Sequence, residues 1–200
     1  MTPHRLNQFS DGIFAISATL LILNFAVPEI RGNGNTQLTH ALLQQWPRLL
    51  AFLLSFGVVI NYWRLHGAMF RDATVVDHTT MLLNTGLLAG AAFVPYATNV
   101  AGSYPTLPAA AVLYSVVLFF VAVLGFGISR HLIASGAYGT AGPPEHALAT
   151  HRRIRFSLLI RAAGLAFAFF IPIISYLIYW VMILYYLSFS TIDKSVEGTS

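Results

Sequence analysis

Between Asp77 and Arg130 the chain reads HTTMLLNTGLLAGAAFVPYATNVAGSYPTLPAAAVLYSVVLFFVAVLGFGIS, 52 residues without one Lys, Arg, Asp or Glu. A membrane crossing takes about 20 apolar residues, so this stretch is too long for one span and fits two. Gly102, Ser103, Tyr104, Pro105 and Pro108 divide it, because Gly and Pro favour turns over helix. The spans then fall near 79–100 and 109–130.

The same reading extends in both directions. Residues 12–28 are uncharged and are lengthened upstream by Leu6 and Phe9, giving a first span; 29–35 is a loop rich in Gly and Asn. A second span runs from about Trp46 to His66 or beyond, its Arg48 and Arg64 able to snorkel to the two interfaces. After the 52-residue stretch, 135–150 carries Gly136, Gly139, Gly142, Pro143 and Pro144 and reads as a polar, exposed loop. The last apolar run, 162–192, is ambiguous. Pro172 is its natural break, and with Arg155 and Arg161 snorkelling it fits two short helices, 154–170 and 173–192. Hydropathy permits five spans or six, and six fit best.

Composition agrees. Of 200 residues, 56% are hydrophobic and 9% charged, against about a quarter charged in soluble domains, and the mean hydropathy is +0.69. Soluble enzymes, nucleic-acid-binding domains and disordered chains are disfavoured together. There are no cysteines, which removes disulfides, thiolate metal sites and cysteine nucleophiles. The net charge of +4 comes from basic residues scattered between apolar runs, so it reports topology and not a nucleic-acid stripe. With six spans and the N-terminus inside, Arg5, Arg64, Arg71, Arg130, Arg152, Arg153, Arg155, Arg161 and Lys194 lie on the cytoplasmic side, and only Arg31 and Arg48 outside. Positive residues favour the inside, so both termini are expected to be cytoplasmic. The N-terminus lacks the pattern of a cleavable signal, since its polar start runs straight into the first helix. The fold class is therefore an all-α polytopic membrane protein, one domain over 1–192, with 193–200 a tail apart from it.

The first span opens Arg5-Leu-Asn-Gln-Phe9-Ser10-Asp11-Gly12-Ile13-Phe14-Ala15-Ile16-Ser17-Ala18-Thr19-Leu20-Leu21. At roughly 100° per residue, Ile16, Leu20 and Leu23 fall within about 60° of one another, with Gly12 and Thr19 beside them and Asp11 opposite. Such an aliphatic stripe ordinarily faces lipid or packs against a neighbour. Ser10 and Asp11 are ordinary helix-start residues. An aliphatic ring can also close a pore by excluding water.

Arg5 with Phe9-Ser10-Asp11, Ala15-Ile16 and Thr19-Leu20-Leu21 resembles the first helix of the transmembrane protein 175 family of potassium channels. Ser55-Phe56 with Trp63 and His66 resembles its second helix, and Asn84 and the short C-terminal helices also fit. The resemblance spans the chain but is sharp only over 5–23 and moderate over 52–66. It implies six helices per subunit and, for a single repeat, a homotetramer in a prokaryotic plasma membrane, with lipids and potassium ions as its other partners. Four first helices would line the pore, with Ile16, Leu20 and Leu23 as the constriction and Thr19 as the selectivity hydroxyl layer. The resemblance gives Arg5, Phe9, Ser10, Asp11, Trp63 and His66 a structural role, packing the first helix on the second and third. Asp11, buried there, would take Arg5, His66 or backbone amides as partner. No cofactor or metal is implied beyond permeating potassium, and no enzyme activity. Many relatives have paired histidines where this chain has Leu65-His66. Asn24, just past the stripe, is placed to polarise the outer mouth of a pore or, more in keeping with a membrane helix, to make an interhelical hydrogen bond.

Rival readings rest on less. Val123-Leu124-Gly125-Phe126-Gly127 is similar to a carbonyl selectivity filter but lacks the threonine and a preceding pore helix. A secondary transporter would break helices, as Pro95 and Pro172 could, but midplane acids and bases are missing. A proton-permeable channel would need a titratable relay, and the histidines read as loop-borne or interfacial. His146 and His151, five apart, are poorly spaced for metal. Gly86 and Gly90 form a small-residue face suited to close helix packing within the subunit.

Overall fold

In the computed structural model, residues 2–29, 34–140 and 142–197 are described, the last eleven by their backbone alone. The described secondary structure is all helical: α1 (Pro3–Leu20), a 3-10 turn (Leu21–Asn24), α2 (Asn35–Leu43), α3 (Trp46–Phe70), α4 (His78–Ser103), α5 (Pro108–Ala134), α6 (Glu145–Ala168) and α7 (Pro172–Glu197). Helix starts follow the local chemistry. Thr2 caps α1, with Pro3 opening it; Asp77 caps α4 by accepting from the Thr80 amide at 2.8 Å; Pro108 and Pro172 open α5 and α7, where a missing N–H costs nothing.

Among the described residues, four helices are long and apolar enough to cross a membrane: α1 with its 3-10 turn, α3, α4 and α5. The described apolar part of α7, Pro172–Tyr186, is shorter. At the centre lies α4, packed against α1, α3 and α5. Gly86 and Gly90 make its approach to α5 possible: a Cβ on Gly90 would come within 2.7 Å of Val121, and one on Gly86 within 3.1 Å of Leu124. Gly125 and Gly127 sit inside the unbroken α5, facing Leu87 and Leu83 of α4, so the filter-like segment is a helix-packing surface. Gly164 does the same for α6 and α7, where a Cβ would lie 2.5 Å from the Tyr179 ring.

Several expectations are corrected. The break that Pro95 could make in a transporter is not made, and the expected span through it holds: α4 is continuous from His78 to Ser103 with Pro95 buried inside it; membrane helices tolerate proline where neighbours cover the freed carbonyl. The segment after α5 is not an exposed loop throughout. Ala137 and Tyr138 are buried, Tyr138 donates its hydroxyl to the Met69 carbonyl at 2.9 Å, and Thr74 donates both its amide and its hydroxyl to the Ala137 carbonyl at 2.8 Å. Helix α6 starts at Glu145, nine residues before the expected position, and α7 runs to Glu197, past 192. Short α2 was not foreseen. Arg161, expected to snorkel, is fully buried.

Candidate functional site

Helix α1 has two sides. Leu6, Ser10, Phe14, Ser17 and Ala18 are buried, on a helix whose neighbours are α3 and α4. Arg5, Phe9, Gly12, Ile16, Thr19 and Leu20 are exposed on the other side. Ile16 is 60%, Leu20 42% and Leu23 71% exposed, and no atom lies within 4 Å of where a Gly12 Cβ would sit. The three aliphatic residues thus form an unpartnered stripe along the subunit. Leu23 lies in the 3-10 turn that continues α1 beyond Leu20. The Thr19 hydroxyl donates to the Ile16 carbonyl at 2.9 Å. Its hydrogen is committed to the helix, and only the oxygen's lone pairs remain to face outward. Asn24 turns away from the stripe: it is buried, and its Nδ2 has no partner among the described residues.

The buried side of α1 is held by a polar chain through three helices. Ser10 Oγ donates to the Leu6 carbonyl at 2.8 Å and accepts from Asn84 Nδ2 of α4 at 3.2 Å. Asn84 Oδ1 lies 2.7 Å from Nε2 of His66 on α3. That imidazole is packed edge-on to Phe14 and against Phe70. In an apolar interior an unmade hydrogen bond is costly, so this chain fixes the three helices against one another.

Asp11 is placed differently from the expectation. It is exposed, and its Oδ1 accepts from Trp63 Nε1 at 2.8 Å; neither Arg5 nor His66 is its hydrogen-bond partner. Arg5 and Phe9, at 61% exposure for the latter, lie on the open side of α1 with the aliphatic stripe. Asp11 and Trp63 stand on a cleft of about 1110 Å³ between α1, α3, α6 and α7, which also exposes Arg64, Arg71 and Arg152.

Three further histidines have polar partners. His131 contacts Asp77 at 2.6 Å, His146 contacts Asp72 at 2.7 Å, and His151 contacts Ser129 at 3.0 Å. Among the described residues no group of three His, Asp or Glu could hold a metal ion. Two buried polar groups escaped the sequence reading. Ser55, Thr98 and Tyr114 form a hydroxyl cluster, with Ser55 Oγ 2.7 Å from Thr98 Oγ1 and 2.9 Å from the Tyr114 hydroxyl. The Arg161 guanidinium lies 4.7 Å over the Tyr62 ring. Single hydroxyls on separate spans carry no signal that pairs them; a lone arginine well inside α6 was a visible signal, read as snorkelling.

The family profile described as endosomal/lysosomal potassium channel TMEM175 matches residues 5–95, which span α1 to most of α4, including the stripe and the Ser10–Asn84–His66 chain. A Streptomyces collinus protein named as a potassium channel is 37% identical over 159 residues, covering 77% of this chain and 75% of the relative. The chain belongs to the TMEM175 family. A Chryseobacterium member named as a potassium channel is 29% identical over 197 residues, covering 98% of this chain and 97% of its own. The human member, named an endosomal/lysosomal proton channel, is 26% identical, and the match spans 38% of its length. The crystal structure of a TMEM175 homologue from Chamaesiphon minutus, described as a lysosomal potassium-selective channel homologue, superposes with a TM-score of 0.83 at 27% identity. That match covers 94% of this chain and 97% of the other. Family and apolar helices together make this an integral membrane protein of an ion-channel family, not an enzyme family.

Proposed function

We propose that this TMEM175 member is the pore-forming subunit of a moderately selective potassium channel. The observation that carries the reading is the exposed stripe of α1, on the helix that opens the family match, in a chain whose bacterial relatives are named potassium channels. A lipid-facing helix has no use for the Gly12 gap and the Thr19 oxygen on the same side. A shared axis between copies does: four α1 helices, one per subunit of a homotetramer, would bring Ile16, Leu20 and Leu23 into apolar rings. Such rings stop ions by dewetting and conduct when they widen, and the Thr19 layer beside them offers oxygens to a partly dehydrated cation.

The same reading gives six spans, with α6 and α7 as the last two, one domain over 1–192, both termini cytoplasmic, and a prokaryotic plasma membrane as location. Potassium is the permeant ion and not a resident cofactor, and lipids surround the tetramer. Asp11, Trp63, Ser10 and His66 hold α1 in place and do not touch the ion. Arg5 and Phe9, on the open side of α1, would meet a neighbouring subunit.

The deciding experiment is a reversal potential in a reconstituted bilayer with potassium on one side and sodium on the other. A channel-sized current reversing toward the potassium equilibrium potential supports the reading; a folded tetramer that moves potassium only at carrier rates rejects it in favour of a transporter. Because animal relatives are named proton channels, the bilayer should also carry a pH gradient. A reversal potential that follows pH and ignores potassium assigns proton conduction instead.

A further inference from the structure

Among the described residues Arg161 is the largest fully buried side chain, 0% exposed, and it sits in a chain that lives in a membrane. Its neighbours do not neutralise it. The guanidinium stacks on Tyr62 at 4.7 Å, and Nη1 reaches the Ser157 carbonyl at a long 3.4 Å. Nε and Nη2 are buried with no hydrogen-bond partner, and no carboxylate pairs with Arg161 among the described residues. Arginine does not escape by losing its proton. An ionised group in a low-dielectric interior keeps its charge only beside a counter-charge or abundant hydrogen bonds. One aromatic face and one stretched bond fall short of that.

The guanidinium borders a small space between the helices. A cavity of about 20 Å³ is lined by Tyr62, His66, Val121, Gly125, Ser157 and Arg161, among others, where α3, α4, α5 and α6 meet. That volume admits one occupant of roughly water size, and cavities that stay empty are apolar ones. This one contains a cation with spare donors.

We propose that the cavity holds a single monatomic anion of halide size, a fixed counter-ion to Arg161 in each subunit. Nε and Nη2 donate to it, Tyr62 covers one face of the guanidinium, and the apolar walls from Val121 and Leu87 exclude further water. Potassium conduction does not pass through it, so the proposal stands apart from the assignment of the pore. The competing occupant is one water molecule, which would accept from Arg161 and donate to the unpartnered Nδ1 of His66 but leave the charge uncompensated.

The test uses the full chain in detergent, exchanged exhaustively from potassium chloride into potassium gluconate at equal ionic strength. Gluconate is far too large for the cavity. The apparent melting temperature should fall by several degrees in gluconate and return on titration with chloride or bromide. Crystals grown in potassium bromide should show an anomalous-scattering peak within hydrogen-bond distance of Arg161 Nε or Nη2. Arg161→Met, which keeps the length and removes the charge, should melt at the same temperature in both salts. Equal wild-type melting in chloride and gluconate, together with no bromide peak, would overturn the proposal and leave water in the cavity. If the variant fails to fold, the two wild-type measurements still decide.

Discussion

Trp63 on α3 donates its indole N–H to Asp11 on α1 at 2.8 Å, across 52 positions of sequence. Both residues face the open cleft, so this bond ties the outer edge of α1 to α3 while the Ser10–Asn84–His66 chain ties its inner edge. If the bond is the main use of both side chains, Trp63→Phe and Asp11→Ala should weaken the proposed tetramer alike on size exclusion. The double variant should be little worse than either, a coupling of about 1 kcal/mol for an accessible hydrogen bond to a charged group. Additive losses would show that the two act separately.

Ile16→Asn places an amide in the apolar ring proposed at the narrowest level. Wetting of that level should raise basal cation leak in liposome flux. A folded variant with wild-type flux would remove Ile16 from the constriction.

Thr19→Val preserves shape and helix while removing the oxygen. Since the hydroxyl's hydrogen already goes to the Ile16 carbonyl, the lost element is an acceptor, the kind of group a cation uses. The preference for potassium over sodium should fall, read as a shift of the bi-ionic reversal potential toward zero. An unmoved potential would exclude the hydroxyl layer.

Asn84→Leu takes the central member out of the buried chain. Ser10 retains its bond to Leu6, but His66 Nε2 is stranded, at a cost of about 1–3 kcal/mol. The melting temperature should drop accordingly, and more than in Ser10→Ala. Equal melting of Asn84→Leu and the wild type would mean that another group takes up the imidazole.

Asp77 lies at the mouth of α4, where the Thr80 amide and then His131 hold its carboxyl well below the usual carboxylate range. A group with a lowered pKa stabilises the fold above its unfolded pKa, and that contribution is lost as pH falls through the folded value. Measured in a His131→Gln background so that only the carboxylate titrates, the stability difference between Asp77 and Asp77→Ala should be level from about pH 8 to about pH 5 and shrink only below about pH 4. A difference that already shrinks near neutrality would contradict the cap.

The legible parts of this fold are those where one residue type decides alone. The turn at 103–108 follows from Gly102, Pro105 and Pro108, and the break before α7 from Pro172. The outward stripe of α1 follows from helical spacing. What spacing could not give is a residue's partner. Asp11 was expected inside, yet it is exposed and finds Trp63, because the face of α1 that is buried is set by α3 and α4. The start of α6 was hidden because His146, Arg152 and Arg153 lower its hydropathy to that of a loop. Pro95 gave a break signal that surrounding helices override, and Ala137 is buried through a carbonyl, which no side-chain pattern reports.

The Ser10–Asn84–His66 chain also has a mechanical meaning. A smooth apolar contact lets one membrane helix slide along another at little cost, so the height of α1 in the bilayer would be a soft coordinate. Directional bonds to α1 act as a detent: moving it by a single turn, about 5.4 Å, breaks the Asn84–Ser10 bond on its buried side and the Trp63–Asp11 bond at the cleft. In a ring of four identical subunits each Ile16 would then come to rest at the same height without help from its neighbours. The evenness of the proposed ring would then be written into each protomer before assembly begins.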